Sequence, residues 1–373
     1  MRFAVLTAEK IGELTSGQSR FALNLSKGLR EAGHKVSLLC ADLTNEMEIS
    51  LKSQGISTFS LHQDTTGPVY RVQMMTRFPR VGRELATLAL ESPPADWYVI
   101  LSDNAVSSGP HLSGRNTVYI SNGDYSLMFL NPRFYIGGGR AVKRLLSHDM
   151  GGLILRNARD ASTYTLRLGN SEFTRNFMAY LYSVPFHDYI YPPVDIDVFK
   201  PICDESREGY VMAIARNANE PGIKLLDMIA KHVPLVVVGG ARVNGAKNLG
   251  SVSDDELSQL FAKASVTISS VVAEFFGYAV AESLACGTPV IAYDCCGPSE
   301  LIKNSLNGWV VKSPSEMIDV VRSATSKRLT PEVSKSARDT AKLFSVQASA
   351  KRLVTIVQAC EEGRHDRTAS RLP

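Results

Sequence analysis

Two glutamates stand eight residues apart in an apolar run, AEFFGYAVAESLACGTPVIAYD, from Ala273 to Asp294. Burying a carboxylate without a partner is costly, so Glu274 and Glu282 each need a use. Ser265–Ser269 reads as a strand and Val271–Phe276 as the loop after it. A helix then opens near Gly277 and closes at Gly287, where Pro289 blocks extension. Glu274 therefore falls in a loop at the carboxyl edge of a parallel sheet, where ligands of open α/β folds bind. The amides near Gly277 and Tyr278 fall at a helix N-terminus, whose free N–H groups and positive dipole end suit a phosphate. Glu282 lies about one and a half turns further on. Ionised, it only accepts hydrogen bonds, which matches a vicinal diol such as ribose. Taken alone, Glu274 is more simply a surface charge in a loop and Glu282 a solvated helix residue. The run as a whole argues for a site.

The elements around this run have a regular order. Phe3–Thr7 reads as a strand, followed by a loop through Gly17 and a helix from Gln18 to Ala32 with Phe21, Leu25 and Leu29 on one face. Gly33 ends that helix as a C′ glycine. Strands follow at Lys35–Cys40, Thr58–Leu61, Trp97–Leu101, Thr117–Ser121 and Tyr164–Gly169. YIYPPVDIDVFKPI, Tyr189 to Ile202, breaks the rhythm with three prolines and reads as an interdomain linker. Strands resume at Tyr210–Ala215, Leu235–Val238, Val266–Ser269 and Pro289–Tyr293. The pattern predicts two Rossmann-like domains, 1–188 and 203–345, joined by the linker 189–202. A last helix over 346–361 is expected to pack back on the first domain, with a disordered tail over 362–373.

Composition narrows the function classes. The 373 residues favour two domains. At 44% apolar and 21% charged the chain resembles ordinary soluble proteins. A formal charge of +4 suits phosphates or an anionic membrane surface but falls short of a dedicated nucleic-acid binder. No apolar run approaches the roughly 20 residues that span a bilayer. The N-terminal apolar run is too short for a signal peptide. The six cysteines form no CxxC pair, and the seven histidines show no ligand spacing. These features predict a cytoplasmic protein with reduced thiols and no metal or other cofactor, with peripheral contact at the inner face of a membrane left open.

Glu274–Phe275–Phe276–Gly277, then Glu282–Ser283–Leu284–Ala285–Cys286–Gly287–Thr288–Pro289–Val290, resembles the signature of retaining glycosyltransferases of family 4. Cys295–Glu300 and Asn307–Gly308 look like its continuation, and PPVDIDVFKP looks like the family's linker. MAIARNANEPGIKLL, VVVGGA and TSGQSRFALNLSKGLREAGHKVSLL resemble further family segments, so the likeness covers nearly the whole chain. The resemblance implies the GT-B fold, two Rossmann-like domains facing each other across a cleft, and a nucleotide sugar such as UDP- or GDP-hexose as donor. It also implies roles. Glu282 would hold the ribose, and Glu274 the hydroxyls of the transferred sugar. Amides from Phe276 through Gly277, Tyr278 and Ala279 would bind the diphosphate, and Gly239 and Gly240 would turn beside the base. Arg216 would neutralise the leaving phosphate, and Gly17 would let backbone approach the diphosphate or acceptor.

The family's second phosphate cation falls at Pro221, so Lys224 is the substitute. Its first-domain histidine is replaced by the SNGDYS stretch, making Asn122 and Asp124 the acceptor-side candidates. The acceptor itself, a lipid-linked sugar, polysaccharide, protein or small molecule, stays open. A non-catalytic nucleotide-sugar-binding subunit and a nucleotide-sugar epimerase remain alternatives. A dinucleotide oxidoreductase is disfavoured because the first βα turn lacks GxGxxG. The linker explains the Asp195-x-Asp197 string better than a metal site does. Arg77, Arg80 and Arg83 read as a solvated helix face rather than a lipid contact, and IGGGR, 136–140, as a loop near the cleft.

Overall fold

In the computed structural model the described residues are 1–12, 16–63, 68–123, 150–202, 207–216, 222–326 and 329–369; side chains of 68–79, 150–151 and 364–369 are excluded. Asp124, Pro221 and the IGGGR stretch therefore lie outside the described residues.

The first half is a seven-stranded parallel sheet. Its strands are β1 (Arg2–Ile11), β2 (Lys35–Leu43), β3 (Ile56–Ser60), β4 (Trp97–Leu101), β5 (Thr117–Ser121), β6 (Leu166–Gly169) and β7 (Asp188–Tyr189), in the order β3-β2-β1-β4-β5-β6-β7. The second half is a six-stranded parallel sheet. It comprises β8 (Val211–Ile214), β9 (Leu235–Val238), β10 (Lys247–Asn248), β11 (Val266–Ile268), β12 (Val290–Tyr293) and β13 (Gly308–Val311), in the order β10-β9-β8-β11-β12-β13. Both are doubly wound. In β1, Phe3 and Val5 enter one core while Ala4 and Leu6 enter the other, on the opposite face. In β9, Val236 and Val238 face one core and Val237 the other. Apolar residues at every position are what a strand buried on both faces requires.

Three differences from the sequence reading matter. Strand β1 continues to Ile11 by pairing Lys10 and Ile11 with Asp42 and Leu43 beyond an irregularity after Thr7. The linker does not begin free of the sheet, since Tyr189 pairs with Gly169 in β7. Its later residues are built into the second half: Val194 and Phe199 join that core, and Arg338 donates to the carbonyls of Ile196 and Phe199. Asp195 accepts from the amides of Asp197 and Val198, so it caps a turn.

The last helix runs Val346–Ala369. It reaches past residue 361, where the sequence reading places a disordered tail; except for Gly363 the continuing residues carry no helix breaker. Ala350, Leu353, Ile356 and Val357 pack with Phe21, Leu25 and Leu29 in the first half's core, and Trp97 donates to Glu361 at 2.7 Å. Gly28 permits that approach: a Cβ there would sit 2.6 Å from the carbonyl oxygen of Val346. Among the described residues no helix is long and apolar enough to cross a membrane. Arg80 is exposed on the helix Pro68–Glu91 and pairs with Glu84 one turn on.

Candidate functional site

The segment after β5 meets the segment after β11, where a Cβ on Gly123 would strike the Phe275 ring. On the second-half side, the chain leaves β11 into the loop holding Glu274 and Phe275. That loop is pinned by its own half, where the amide of Gly297 donates to the Glu274 carbonyl at 3.0 Å. It is also gripped by the first half. Ser171 Oγ donates to the Phe275 carbonyl at 2.7 Å, and the Phe275 ring packs against Phe173 and Phe177. The carboxylate of Glu300 accepts from the amides of Glu172 and Phe173, capping the first-half helix Glu172–Tyr182.

Gly277 ends the loop with φ of +87°, a conformation that strongly favours glycine. It is the N-cap of the helix Tyr278–Ala285, which no described side chain caps. The first amides of that helix, at Tyr278 and Ala279, are thus available to a ligand. Phe276 turns its ring into the second core, against Tyr191, Tyr278 and Phe344, so only its backbone can serve the site. Gly17 faces the same helix end from the first half: a Cβ on it would lie 3.1 Å from the Tyr278 ring.

Glu282 is buried at 5% exposure on the inward face of this helix. Its partner comes from the first half: Arg20 Nη1 donates to Glu282 Oε1 at 2.8 Å, and Arg20 Nη2 bonds Asp254. Burial pushes the Glu282 carboxyl up to about 7, Arg20 pulls it down, and Asp254 adds to the rise. Burial also raises the Glu274 carboxyl, with Arg216 acting against it. Arg216 lowers the Glu282 carboxyl as well, so one guanidinium acts on both glutamates. It follows β8, where the Gly239–Gly240 turn packs on its backbone; a Cβ on Gly240 would lie 2.9 Å from the Arg216 carbonyl. Gly239 has φ of +121° and no room for a Cβ against Ala215.

The structure thus gathers Gly17, Arg216, Gly239, Gly240, Glu274, Phe276, Gly277, Tyr278, Ala279 and Glu282 along one cleft. Lys224 is exposed in the first turn of the helix Ile223–Ile229 and makes no hydrogen bond or ion pair to a described residue. Asn122 follows β5 in the first half, and neither its side-chain oxygen nor its nitrogen has a partner among the described residues. Sequence reasoning missed Arg20, whose position on the helix Gly17–Glu31 reads as an ordinary polar face. It also missed Glu300 as a cap and the unpartnered, buried Tyr278 hydroxyl. Among the described residues no group of three His, Cys, Asp or Glu side chains is placed to hold a metal ion.

Residues 243–342 match the family model described as Glycosyl transferases group 1. Solved structures resemble nearly the whole chain. A sucrose-phosphate synthase from Thermosynechococcus elongatus superposes with a TM-score of 0.74 at 16% identity, over 97% of this chain and 99% of that one. Anabaena Alr3699/HepE in complex with UDP superposes with a TM-score of 0.66 at 16% identity, over 96% and 100%.

The fold is GT-B.

Among curated proteins, a GDP-Man:Man(3)GlcNAc(2)-PP-Dol alpha-1,2-mannosyltransferase of Dictyostelium discoideum is 27% identical over 42% of this chain and 39% of its own length. The mouse protein of the same description is 24% identical over 48% and 45%. The chain therefore spans less than half the length of these relatives. In GT-B terms, the cleft described above is the space between the two Rossmann-like halves.

Proposed function

We propose that the protein is a glycosyltransferase that moves a sugar from a nucleotide-sugar donor to a glycan or lipid-linked acceptor, with retention and without a metal. The observation that carries this reading is the geometry around one helix end. Uncapped amides at Tyr278 and Ala279 lie between Glu274 and Glu282, and Arg216 acts on both carboxylates. Breaking a glycosyl–phosphate bond leaves negative charge on the nucleoside diphosphate. The fixed amide dipoles and Arg216 stabilise that charge, and Lys224 would assist. Glu282 accepts from ribose hydroxyls once Arg20 yields it, and Glu274 accepts from hydroxyls of the transferred sugar. Retention places the acceptor on the face from which the phosphate departs, against the first-half wall with Asn122. No protein nucleophile is assigned.

The relatives support the class. The mannosyltransferases are named for a GDP-linked donor and a lipid-linked glycan, and the Anabaena protein binds UDP. The test is a thermal-shift screen of UDP-, GDP-, ADP- and dTDP-sugars followed by transfer assays. A ligand at one hundred times its dissociation constant stabilises by about 2.7 kcal/mol. Stabilisation by one donor family, with sugar transfer, is expected. Stabilisation without turnover to any acceptor would make the protein a binding subunit, and isomerised donor would make it an epimerase.

A further inference from the structure

Around the ends of β4 and β5 the first half holds buried polar groups, of which Asn122 alone has been given a role above. At the end of β4, Ser102 is fully buried with φ of +76°, and its hydroxyl has no partner. Asn104, 4% exposed, donates to Glu9 Oε1 at 3.3 Å and leaves its own Oδ1 unpartnered. Asn122, at the end of β5, leaves both polar atoms of its side chain unpartnered. A native fold satisfies nearly all buried polar atoms, so four such atoms at adjacent strand ends mark a place shaped for a ligand. They do not follow from loose packing, because Asp103 is a fixed scaffold between them. It accepts from Ser121 Oγ at 2.8 Å, from the amide of Asn122 at 3.3 Å, and from Tyr119.

We propose that this cluster is the acceptor subsite and that it reads a neutral, polyhydroxylated sugar rather than a phosphorylated or carboxylated one. The inference rests on the transferase reading and deepens it. Two side-chain amides, a hydroxyl and a carboxyl offer the mixed donors and acceptors that neighbouring sugar hydroxyls need. The charge argues against an anion. Among the described residues, the Glu9 carboxyl is held only by the neutral groups Ser16 Oγ, at 3.2 Å, and Asn104. An anionic acceptor would meet that carboxyl with no cation bonded to it. The location is also right for transfer. Gly123, next to Asn122, has no room for a Cβ because the Phe275 ring lies against it. Phe275 adjoins Glu274, so the cluster borders the point where the donor sugar would lie.

The test uses the full chain with a saturating nucleoside diphosphate. Methyl glycosides of mannose, glucose and galactose are compared with the corresponding hexose 6-phosphates by saturation-transfer NMR. At least one neutral glycoside is expected to bind, at least tenfold tighter than its phosphorylated counterpart. Asn104→Ala is expected to weaken that binding about fivefold, the scale of one hydrogen bond, while leaving nucleotide affinity unchanged. Ser102→Gly guards against a folding artefact. It relieves the positive φ, so the unfolding temperature should rise while glycoside binding falls. Equal or tighter binding of the phosphorylated sugars overturns the proposal. So does unchanged glycoside affinity in both variants, which would mean that ordered water alone fills the cluster. If the nucleotide binds and no glycoside does, this inference fails while the donor reading stands. Failure of the nucleotide to bind would defeat the donor reading itself.

Discussion

The two walls of the cleft are built from different materials. The second-half wall is one short string, Glu274 to Glu282, folded around a helix end. It works through charge and backbone dipoles, with Arg216 supplied from the end of β8. The first-half wall is assembled from Glu9, Ser102, Asn104 and Asn122, at or near the carboxyl ends of three strands that lie side by side in the sheet. It works through amides and hydroxyls. Under the proposed function, the difference assigns charge stabilisation to the side where the leaving group departs and hydroxyl recognition to the side where the acceptor enters. If so, damage to the two walls should differ in size and in kind.

The largest expected effect is at Arg216. Arg216→Ala should lower kcat/KM by roughly a hundredfold or more, the scale seen when a transition-state charge stabiliser is removed. Steady-state kinetics on the preferred donor checks it. A larger loss from Asn104→Ala than from Arg216→Ala would break the comparison, because the first-half wall would then carry the chemistry.

Next come the two glutamates. Glu282→Ala should weaken nucleoside diphosphate binding by about 1.5–3 kcal/mol, the worth of a hydrogen bond to a charged group. Calorimetry with the free nucleotide reads this directly. Glu274→Ala should leave that affinity near normal while cutting transfer strongly. Equal losses in both assays would mean that Glu274 shapes the loop gripped by Ser171 rather than meeting the sugar.

The second-half wall was legible in the sequence because its parts are contiguous. Glutamate spacing, glycines and a proline all fall within one strand–loop–helix unit, and the expected helix over 277–287 proved to be Tyr278–Ala285 with Gly277 as its cap. The alternation of strands and helices likewise disclosed both sheets. β13 was missed because GWVV is a four-residue run with no flanking period of its own. Of the first-half cluster, Asn122 left a signal in the SNGDYS stretch, whereas Glu9, Ser102 and Asn104 left none. Asn104 and Glu9 meet because β1 and β4 are neighbours, and no pattern near either residue says so. Arg20 was illegible for a similar reason. Its partners, Glu282 and Asp254, stand in the other half, and a helix in isolation shows it only as a polar residue.

That ion pair gives a pH prediction. The Glu282 carboxyl rises from an ordinary 4.5 to about 7 in the fold. Between those values the folded protein holds more protons than the unfolded chain, so stability should fall as pH rises through the window and level off above it. Nucleotide binding should run the other way, improving as pH rises through about 7, because the ribose needs the ionised carboxylate. Arg20→Met removes the nearest cation, so the midpoint of the binding profile should move to higher pH. A profile unmoved by this substitution would show that Arg20 does not tune Glu282. It would then serve only to join the two halves.

The smallest effect is expected at Gly17, and its use depends on a second glycine in the same helix. Gly28→Ala would press a Cβ against the backbone of Val346 and the Ala350 Cβ, at 2.6 and 2.9 Å. Backbone cannot easily yield, so about 1–3 kcal/mol of stability should be lost, as for other overpacked sites. Gly17→Ala places its Cβ 3.1 Å from an aromatic ring edge, which can give by a few tenths of an ångström. Alanine also has the higher helix propensity, by up to about 1 kcal/mol in a helix interior and less in the first turn. The two contributions oppose each other, and the net change in stability should stay within about 0.5 kcal/mol. Function should respond more than stability does. The displaced ring belongs to Tyr278, whose amide is one of the uncapped donors, so nucleotide affinity should fall a few-fold. Chemical denaturation and calorimetry on both variants decide the matter. Gly28→Ala should change only the former and Gly17→Ala mainly the latter. If Gly17→Ala leaves nucleotide affinity untouched, the first-half helix end does not share in holding the diphosphate, and the division between a charge-bearing wall and a hydroxyl-reading wall becomes sharper.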